Sequence, residues 1–387
     1  MSNRTYSVWG RAINIRKYKN YCFINIHTNR DKIAQLIINK VDFINNHPSI
    51  GDVIMAKGTV VKTKTDNHTL KVSSIKMLAI NQRNISKYGT VHISNDISQK
   101  QQMESLIGGQ ALKSWHLKNE IIDVIEKKLN RKKFIKIYSS KILGNHRGTY
   151  TVDPFVTIQS SDKSNKYLRI TLETELKKYV ALTLNSVYEI GKVFRNKGKG
   201  SDHIQEYLVL ELVAPFYHIS DLLRLLRAFA NIGVKLAKKH NLTYNETIAK
   251  SPTVVDYNNL INMSPNREYK SVKKNLQNTI VTNLSEGSPL AKEKDNHFLE
   301  FEWVFEGTGL AHGYIDENDA NIVLPRFQEQ LEQLQKKGIC ADIDNEFINV
   351  ISYGLPPTGS VIFGFDRFLM KLLRLQNIEQ ATMPLGI

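Results

Sequence analysis

From Thr5 to Ile80, apolar and polar positions alternate in short runs: Tyr6–Arg11, Tyr21–Ile26, Ile33–Ile38, Val53–Val61 and Leu70–Ile75. Glycine, asparagine and aspartate punctuate the joins, so the spacing predicts five strands in a small β-barrel. Residues 83–109 are polar and read as a linker. The period then changes. Trp115, Leu117, Ile121, Ile122, Ile125 and Leu129 recur at helical spacing and predict an amphipathic helix through about Asn130. Strands are expected at Phe155–Ile158, Tyr167–Ile170, Val187–Phe194 and Tyr207–Val213, followed by a helix over Asp221–His240 capped by Ser220. Residues 241–296, rich in Asn, Lys and Ser, read as an insertion with short helices. Beyond them the pattern predicts a strand at Phe298–Phe305, a turn region at Glu306–Gly313, and a helix opened by Pro325 and closed by Gly338. A strand near Phe347–Ile351, a loop and strand over Gly354–Gly364 and a helix over Asp366–Leu375 complete the chain. Strands and helices without βαβ alternation give an α+β class, built on an antiparallel sheet over 110–387.

A length of 387 residues suits two domains, here 1–82 and 110–387. Lys and Arg number 53 against 37 Asp and Glu, a net +16 that points to a polyanionic partner. The excess is uneven. Residues 1–90 hold 15 Lys/Arg and 4 Asp/Glu, so +11 of the charge lies in the barrel region. A basic five-stranded barrel with aromatics on its strands is a candidate OB-fold, in which Phe23 and Tyr21 stack on bases while Arg11, Arg16, Lys17 and Lys19 meet phosphates. The competing reading makes Phe23 and Ile24 barrel core and the lysines a solvated surface. Cys22 and Cys340, the two cysteines, are too far apart in sequence for a thiolate zinc site and are too few for a disulfide scaffold. With no signal-like N-terminus and no apolar run of membrane-spanning length, a cytoplasmic protein without a membrane partner is expected.

Common nucleotide-binding and hydrolase signatures, GxxxxGK[ST], GxGxxG, HExxH and GxSxG, are absent from the sequence. Two stretches supply another device, Val187–Glu211 and Gly354–Met370, each with one arginine on or beside a strand, Arg195 and Arg367. When a carboxylate attacks the α-phosphate of ATP, both reactants are anions. One guanidinium that bridges them and a second that clamps the outer phosphates stabilise the charge that develops. Taken singly, each stretch is equally a surface arginine in a β-rich segment.

Together, and in this order, the stretches resemble motifs 2 and 3 of the class II aminoacyl-tRNA synthetases of the lysyl type. The run Gly354-Leu-Pro-Pro-Thr-Gly359 is characteristic of that branch. Thr5–Leu78 is similar to the family's anticodon-binding OB-fold, so the resemblance covers nearly the whole chain. It implies an ATP-dependent ligase using Mg2+, with tRNA and an amino acid as partners, working as a homodimer. It implies that Arg195 holds the α-phosphate and the substrate carboxylate, Arg367 the γ-phosphate, Tyr207 the adenine, and His203 a place in the ATP site. Glu173 and Glu211 fall in the amino-acid site, Glu173 on the α-ammonium. Val213, His312, Tyr314 and Asp316 line the side-chain pocket. Glu302 is the implied metal ligand as well as an ATP contact. Phe23, Gln35 and Arg11 contact tRNA, the first two reading the central anticodon base.

The chain departs from the family pattern at several positions. Ser140 stands where motif 1 has proline, Lys197 where motif 2 has glutamate, Asp202 where an arginine is common, and Gly309 where a second metal-binding glutamate is expected. Val213 replaces a pocket tyrosine and Asp316 a pocket glutamate, which implies a basic substrate other than ordinary lysine. Two alternatives stay open on the sequence: a paralogue that transfers the activated amino acid to a protein, peptide or metabolite, and an RNA-binding protein impaired in catalysis.

Overall fold

A computed structural model describes residues 4–28, 32–62, 68–82, 110–144, 154–196, 198, 200–262, 268–285, 287–336 and 343–382. The expected linker 83–109 and Lys197 lie outside them, as do Gly338 and Cys340. The chain divides into two compact units, one within Met1–His116 and the other Leu117–Thr382.

In the first unit, strands β1 (Thr5–Lys17), β2 (Tyr21–His27), β3 (Ile33–Asn39), β4 (Val53–Lys62) and β5 (His68–Ala79) close a barrel in the order β1-β2-β3-β5-β4. Alternation fills it. Ile24, Ile26, Leu36, Ile38, Ile54 and Ala56 point inward and are buried. A helix the sequence pattern did not predict, Lys40–Asn46, joins β3 to β4, capped by the Asn39 side chain on Asp42 N–H at 2.7 Å and adding Phe43 to the core.

The second unit is built on an eight-stranded sheet. From edge to edge it runs Thr253–Asp256, Asn278–Thr282, Glu300–Phe305, Thr308–Ile315, Thr358–Gly364, Glu206–Pro215, Val187–Phe194 and Ile135–Lys136. The six middle strands pair antiparallel and the two edge strands parallel. On one face, Leu210, Leu212, Phe301, Trp303, Val361 and Phe363 pack with the helices Gln110–Arg131, Ile219–Lys239 and Phe365–Leu372. On the other, Val187, Val209, Val213 and Tyr314 pack with Glu173–Thr183, Ala320–Lys336 and Asn345–Ser352.

Several expected elements change. Residues 241–296 carry the expected short helices, Glu246–Ala249, Tyr257–Asn262 and Tyr269–Lys273, and in addition supply the strands Thr253–Asp256 and Asn278–Thr282 of the large sheet. The expected turn at Glu306–Gly313 is largely the central strand Thr308–Ile315, and the expected strand near Phe347–Ile351 is the helix Asn345–Ser352, whose buried Phe347 and Ile351 stand four apart. The long helix starts at Ile219 with His218 as cap, its backbone N–H held by Asp221 at 3.0 Å, rather than on Ser220. Pro325 lies inside the helix Ala320–Lys336 instead of opening it. The helix Glu173–Thr183 was not foreseen.

Candidate active site

Because successive side chains alternate across a strand, the sheet carries one polar row. Cross-strand pairs Glu302–His312, His312–Ile362, Ile362–Glu211 and Glu211–Glu189 place these residues side by side, opposite the face that buries Phe301, Leu210 and Phe363. Two cavities of about 490 and 530 Å3 open here and share Arg195, Glu302, His312 and Ile362 as walls.

The first cavity gathers the expected nucleotide residues Arg195, His203, Tyr207 and Arg367, together with Asp202 and Gly309. Arg195 follows the strand Val187–Phe194, and its Cζ lies 5.4 Å from the centre of the Tyr207 ring. Its buried Nε has no hydrogen-bond partner among the described residues. Arg367, in the first turn of the helix Phe365–Leu372, donates from Nε to the Asp202 carbonyl at 3.0 Å and from Nη1 to the Gly309 carbonyl at 3.3 Å. Burial pushes the Asp202 carboxyl up, but the bond to His203 Nδ1 and the Arg367 charge outweigh it and leave the group below its ordinary value. Next to Arg367, Asp366 pairs with the buried Lys118 and accepts from Leu208 N–H at 2.7 Å, tying Arg367 and Tyr207 to the same scaffold.

The second cavity is acidic, walled by Glu173, Glu211, Glu300 and Glu302 with Tyr269, Ser288 and Tyr314. Glu211 accepts from Leu172 N–H at 3.0 Å and from the Thr171 hydroxyl at 3.3 Å. Burial, reinforced by the neighbouring Glu173 charge, pushes its carboxyl up to about 8. Burial pulls the His312 imidazole down, yet its bond to Glu300 and the charges of Glu300, Glu302 and Glu173 hold it above its ordinary value.

Two expected pocket residues sit elsewhere. Val213 is packed in the core between Val187 and Ser360, and Asp316 is buried behind the cavity wall. Asp316 receives the Ser360 hydroxyl at 2.7 Å and the Lys177 ammonium at 2.7 Å. Lys177 also pairs with Glu173 and reaches the Tyr314 hydroxyl at 3.1 Å. Burial opposes its charge, but Asp316 and Glu173 prevail and raise its pKa. The carboxylate expected to face a substrate cation thus already holds one from its own chain. Lys177 escaped the sequence reading because it carries no motif; its signal was a lysine on the buried helix face it shares with Glu173, Thr174, Val180 and Ala181.

Glu302 lines both cavities, with Oε2 accepting from the Tyr269 hydroxyl at 2.6 Å and Oε1 from Lys273 Nζ at 2.5 Å. Burial, with the Glu302 charge added, holds the Tyr269 phenol well above its ordinary value, so it remains a donor.

On the barrel, Phe23 and Gln35 share the outer face, opposite the buried Ile24 and Leu36. Of the two residues that the competing reading assigned to the core, Ile24 is there and Phe23 is half-buried outside. Phe23 packs edge-on to Tyr18 and Tyr21 at 5.8 and 5.5 Å, with the Arg16 guanidinium 5.5 Å from its ring centre. Gln35 accepts from Thr69 at 2.8 Å. Arg11 donates one N–H to the Gly51 carbonyl at 2.6 Å, so part of its fork serves the barrel itself.

The family model described as tRNA synthetases class II (D, K and N) matches residues 94–383. The chain is 26% identical to the lysine--tRNA ligase of Buchnera aphidicola subsp. Cinara cedri over 97% of its own length and 85% of that protein. It is 25% identical to the lysine--tRNA ligase of Fervidobacterium nodosum, covering 98% and 84% of the two chains. Against that of Mycoplasmoides gallisepticum it is 27% identical, covering 97% and 86%.

Proposed function

The chain belongs to the class II tRNA synthetases (D, K and N) and is a ligase of the aminoacyl-tRNA synthetase kind, and from that premise we propose that it activates a cationic amino acid, lysine or a related base, with ATP and transfers it to tRNA. In the first step an oxygen of the amino-acid carboxylate bonds to the α-phosphorus as the bond to the bridging oxygen breaks, releasing pyrophosphate. In the second, a ribose hydroxyl of tRNA attacks the carbonyl and AMP leaves.

The observation that carries this reading is the position of Arg195. It walls both cavities, stands on Tyr207, and has a buried Nε without a partner among the described residues. A guanidinium so placed meets a carboxylate from one side and a phosphate from the other. Arg367 closes the phosphate end, Tyr207 offers the adenine a ring, and His203 borders the same cavity. Glu173 and Glu211 face the ammonium groups of the amino acid. With Asp316 held by Lys177, and Glu300 engaged by His312 and Ser288 N–H, recognition of the side-chain cation falls to Glu211. Mg2+ would enter with ATP and would supply charge neutralisation of its phosphates, with Glu302 the one carboxylate of the implied metal pair in the cavity wall.

The alternative acceptors, protein, peptide or metabolite, are set aside because the chain also carries a basic barrel. We assign the barrel as an OB-fold for the anticodon, with Phe23, Tyr21 and Tyr18 as stacking rings, Gln35 beside them, and Arg11 and Arg16 near the backbone. The exposed Ile135 and Tyr138 at the parallel edge strand suit a homodimer contact. Among the described residues no helix is long and apolar enough to cross a membrane, and tRNA as acceptor fits a cytoplasmic enzyme.

Pyrophosphate exchange across a panel of amino acids, with and without tRNA, tests the reading. Lysine or another basic amino acid should support exchange and be charged. Arg195→Ala and Arg367→Ala should each abolish exchange, at a loss of about 100-fold or more. Exchange driven best by a neutral or acidic amino acid would overturn the substrate class, and exchange without charging would overturn the acceptor.

A further inference from the structure

We propose that Lys273 provides a fixed positive charge on Glu302 at the junction of the two cavities, where the resemblance implies a divalent metal bound by two carboxylates. The inference rests on the adenylating reading of the site.

Mg2+ requires near-octahedral oxygen ligation and favours more than one carboxylate or phosphate donor. The residues present do not supply it. Both oxygens of Glu302 are already hydrogen-bonded, one by Tyr269 and the other by Lys273. The position seven residues on is Gly309, which brings no donor side chain. Among the described residues no group of three His, Cys, Asp or Glu is close enough to hold a metal.

The glycine and the lysine go together. A Cβ placed on Gly309 would collide with Glu302 Oε1 and lie 3.1 Å from Lys273 Nζ. The Glu302 carboxylate, together with the ammonium bound to it, therefore occupies the space into which a side chain at 309 would project. The ammonium is carried by the short helix Tyr269–Lys273, and the same helix delivers the second donor to Glu302. An unpaired Glu302 would repel phosphate oxygens in the first cavity. Paired, it holds a cation beside Gly309, whose carbonyl also receives Arg367. Lys273 and Arg367 thus flank one backbone position at the phosphate end of the cleft.

Mn2+ binding to the full-length chain without nucleotide, followed by electron paramagnetic resonance, tests this together with pyrophosphate exchange as a function of Mg2+ and ATP. The wild type should bind no Mn2+ tightly, whereas the double variant Lys273→Met/Gly309→Glu should gain one site per chain. Wild-type exchange should need only the Mg2+ that complexes ATP. Lys273→Met should raise the KM for ATP roughly 10- to 100-fold, because it removes a charge-assisted bond and leaves the Glu302 charge uncompensated in the cavity wall, and Lys273→Arg should restore most of it. A purely structural lysine would leave both the metal stoichiometry and the Mg2+ dependence unmoved. Tight Mn2+ binding by the wild type that Glu302→Gln abolishes would overturn the proposal, as would an unchanged ATP KM in a folded Lys273→Met. If the wild type exchanges pyrophosphate with no amino acid, the adenylating reading fails, and the Mn2+ titration still decides whether Lys273 excludes a metal.

Discussion

Glu211 is a carboxylic acid in the wall of the acidic cavity, where the proposed reading brings a substrate ammonium, and burial pushes it up to about 8. In the folded chain it keeps its proton between its ordinary 4.5 and about 8, while the unfolded chain has released it. Stability from this group is therefore fully present below 4.5, falls as pH rises through that window, and levels off above it. Binding has the opposite sign, since only the ionised carboxylate attracts the ammonium. The kcat/KM for the amino acid should rise as pH passes through about 8, and Glu211→Gln should flatten the rise while lowering its ceiling. A profile equally steep in Glu211→Gln would assign the titration to another group. Lys177 has a comparable test. Replacing it by methionine leaves Asp316 buried without its cation, so unfolding should become easier by about 3–5 kcal/mol; the companion Lys177→Met/Asp316→Asn, read by denaturant titration, should recover much of the loss. Neither lysine, 177 or 273, was legible beforehand, because neither belongs to a motif and each has a decisive partner, Asp316 or Glu302, more than 25 residues away. Arg195 and Arg367 were legible as candidates, since each sits in a run that resembles a family motif, and the run before Arg367 has its own distinctive glycines and prolines.

At the level of elements, the pattern was readable where one face is buried and the other is not. Val187–Phe194 appears with its expected bounds, and the five barrel strands are all present. It misled where glycine stood in a central strand. Gly313 is there because a Cβ would meet the Ser360 carbonyl at 2.7 Å and the Phe301 ring at 2.8 Å, so close packing, rather than a turn, requires it. Phe347–Ile351 failed for the reverse reason: a short apolar run fits either period, and only burial four apart decides it. The elements that hold the nucleotide residues meet at Asp366, bound by Lys118 from one helix and by Leu208 N–H from a strand. Lys118→Met should therefore destabilise the unit by about 3–5 kcal/mol and also raise the KM for ATP, because Tyr207 and Arg367 flank the two anchored positions. Lys118→Met/Asp366→Asn should regain stability more fully than ATP affinity. Equal recovery of both would show that Asp366 has no positioning role.

For the molecule as a whole, the charge is divided as the two tasks divide. Residues 1–90 carry +11 of the net +16, and the acidic cavity belongs to the other unit. Polyanion binding releases counterions, so its affinity falls steeply with salt, whereas ATP and amino-acid binding in half-enclosed cavities is screened far less. The KM for tRNA should rise with ionic strength, with a slope of about 0.7 per single-stranded phosphate neutralised, while pyrophosphate exchange stays nearly level from 50 to about 200 mM salt, where such contacts weaken most. Arg16→Ala should reduce that slope by close to one contact. Phe23→Ala should raise the tRNA KM at every salt concentration without changing the slope, because stacking on a base releases no counterion. Exchange should be untouched by either. If Phe23→Ala slowed exchange, or if Arg16→Ala left the salt slope intact, the barrel's outer face would not be the surface that meets RNA, and the division of labour drawn from the charge would fail with it.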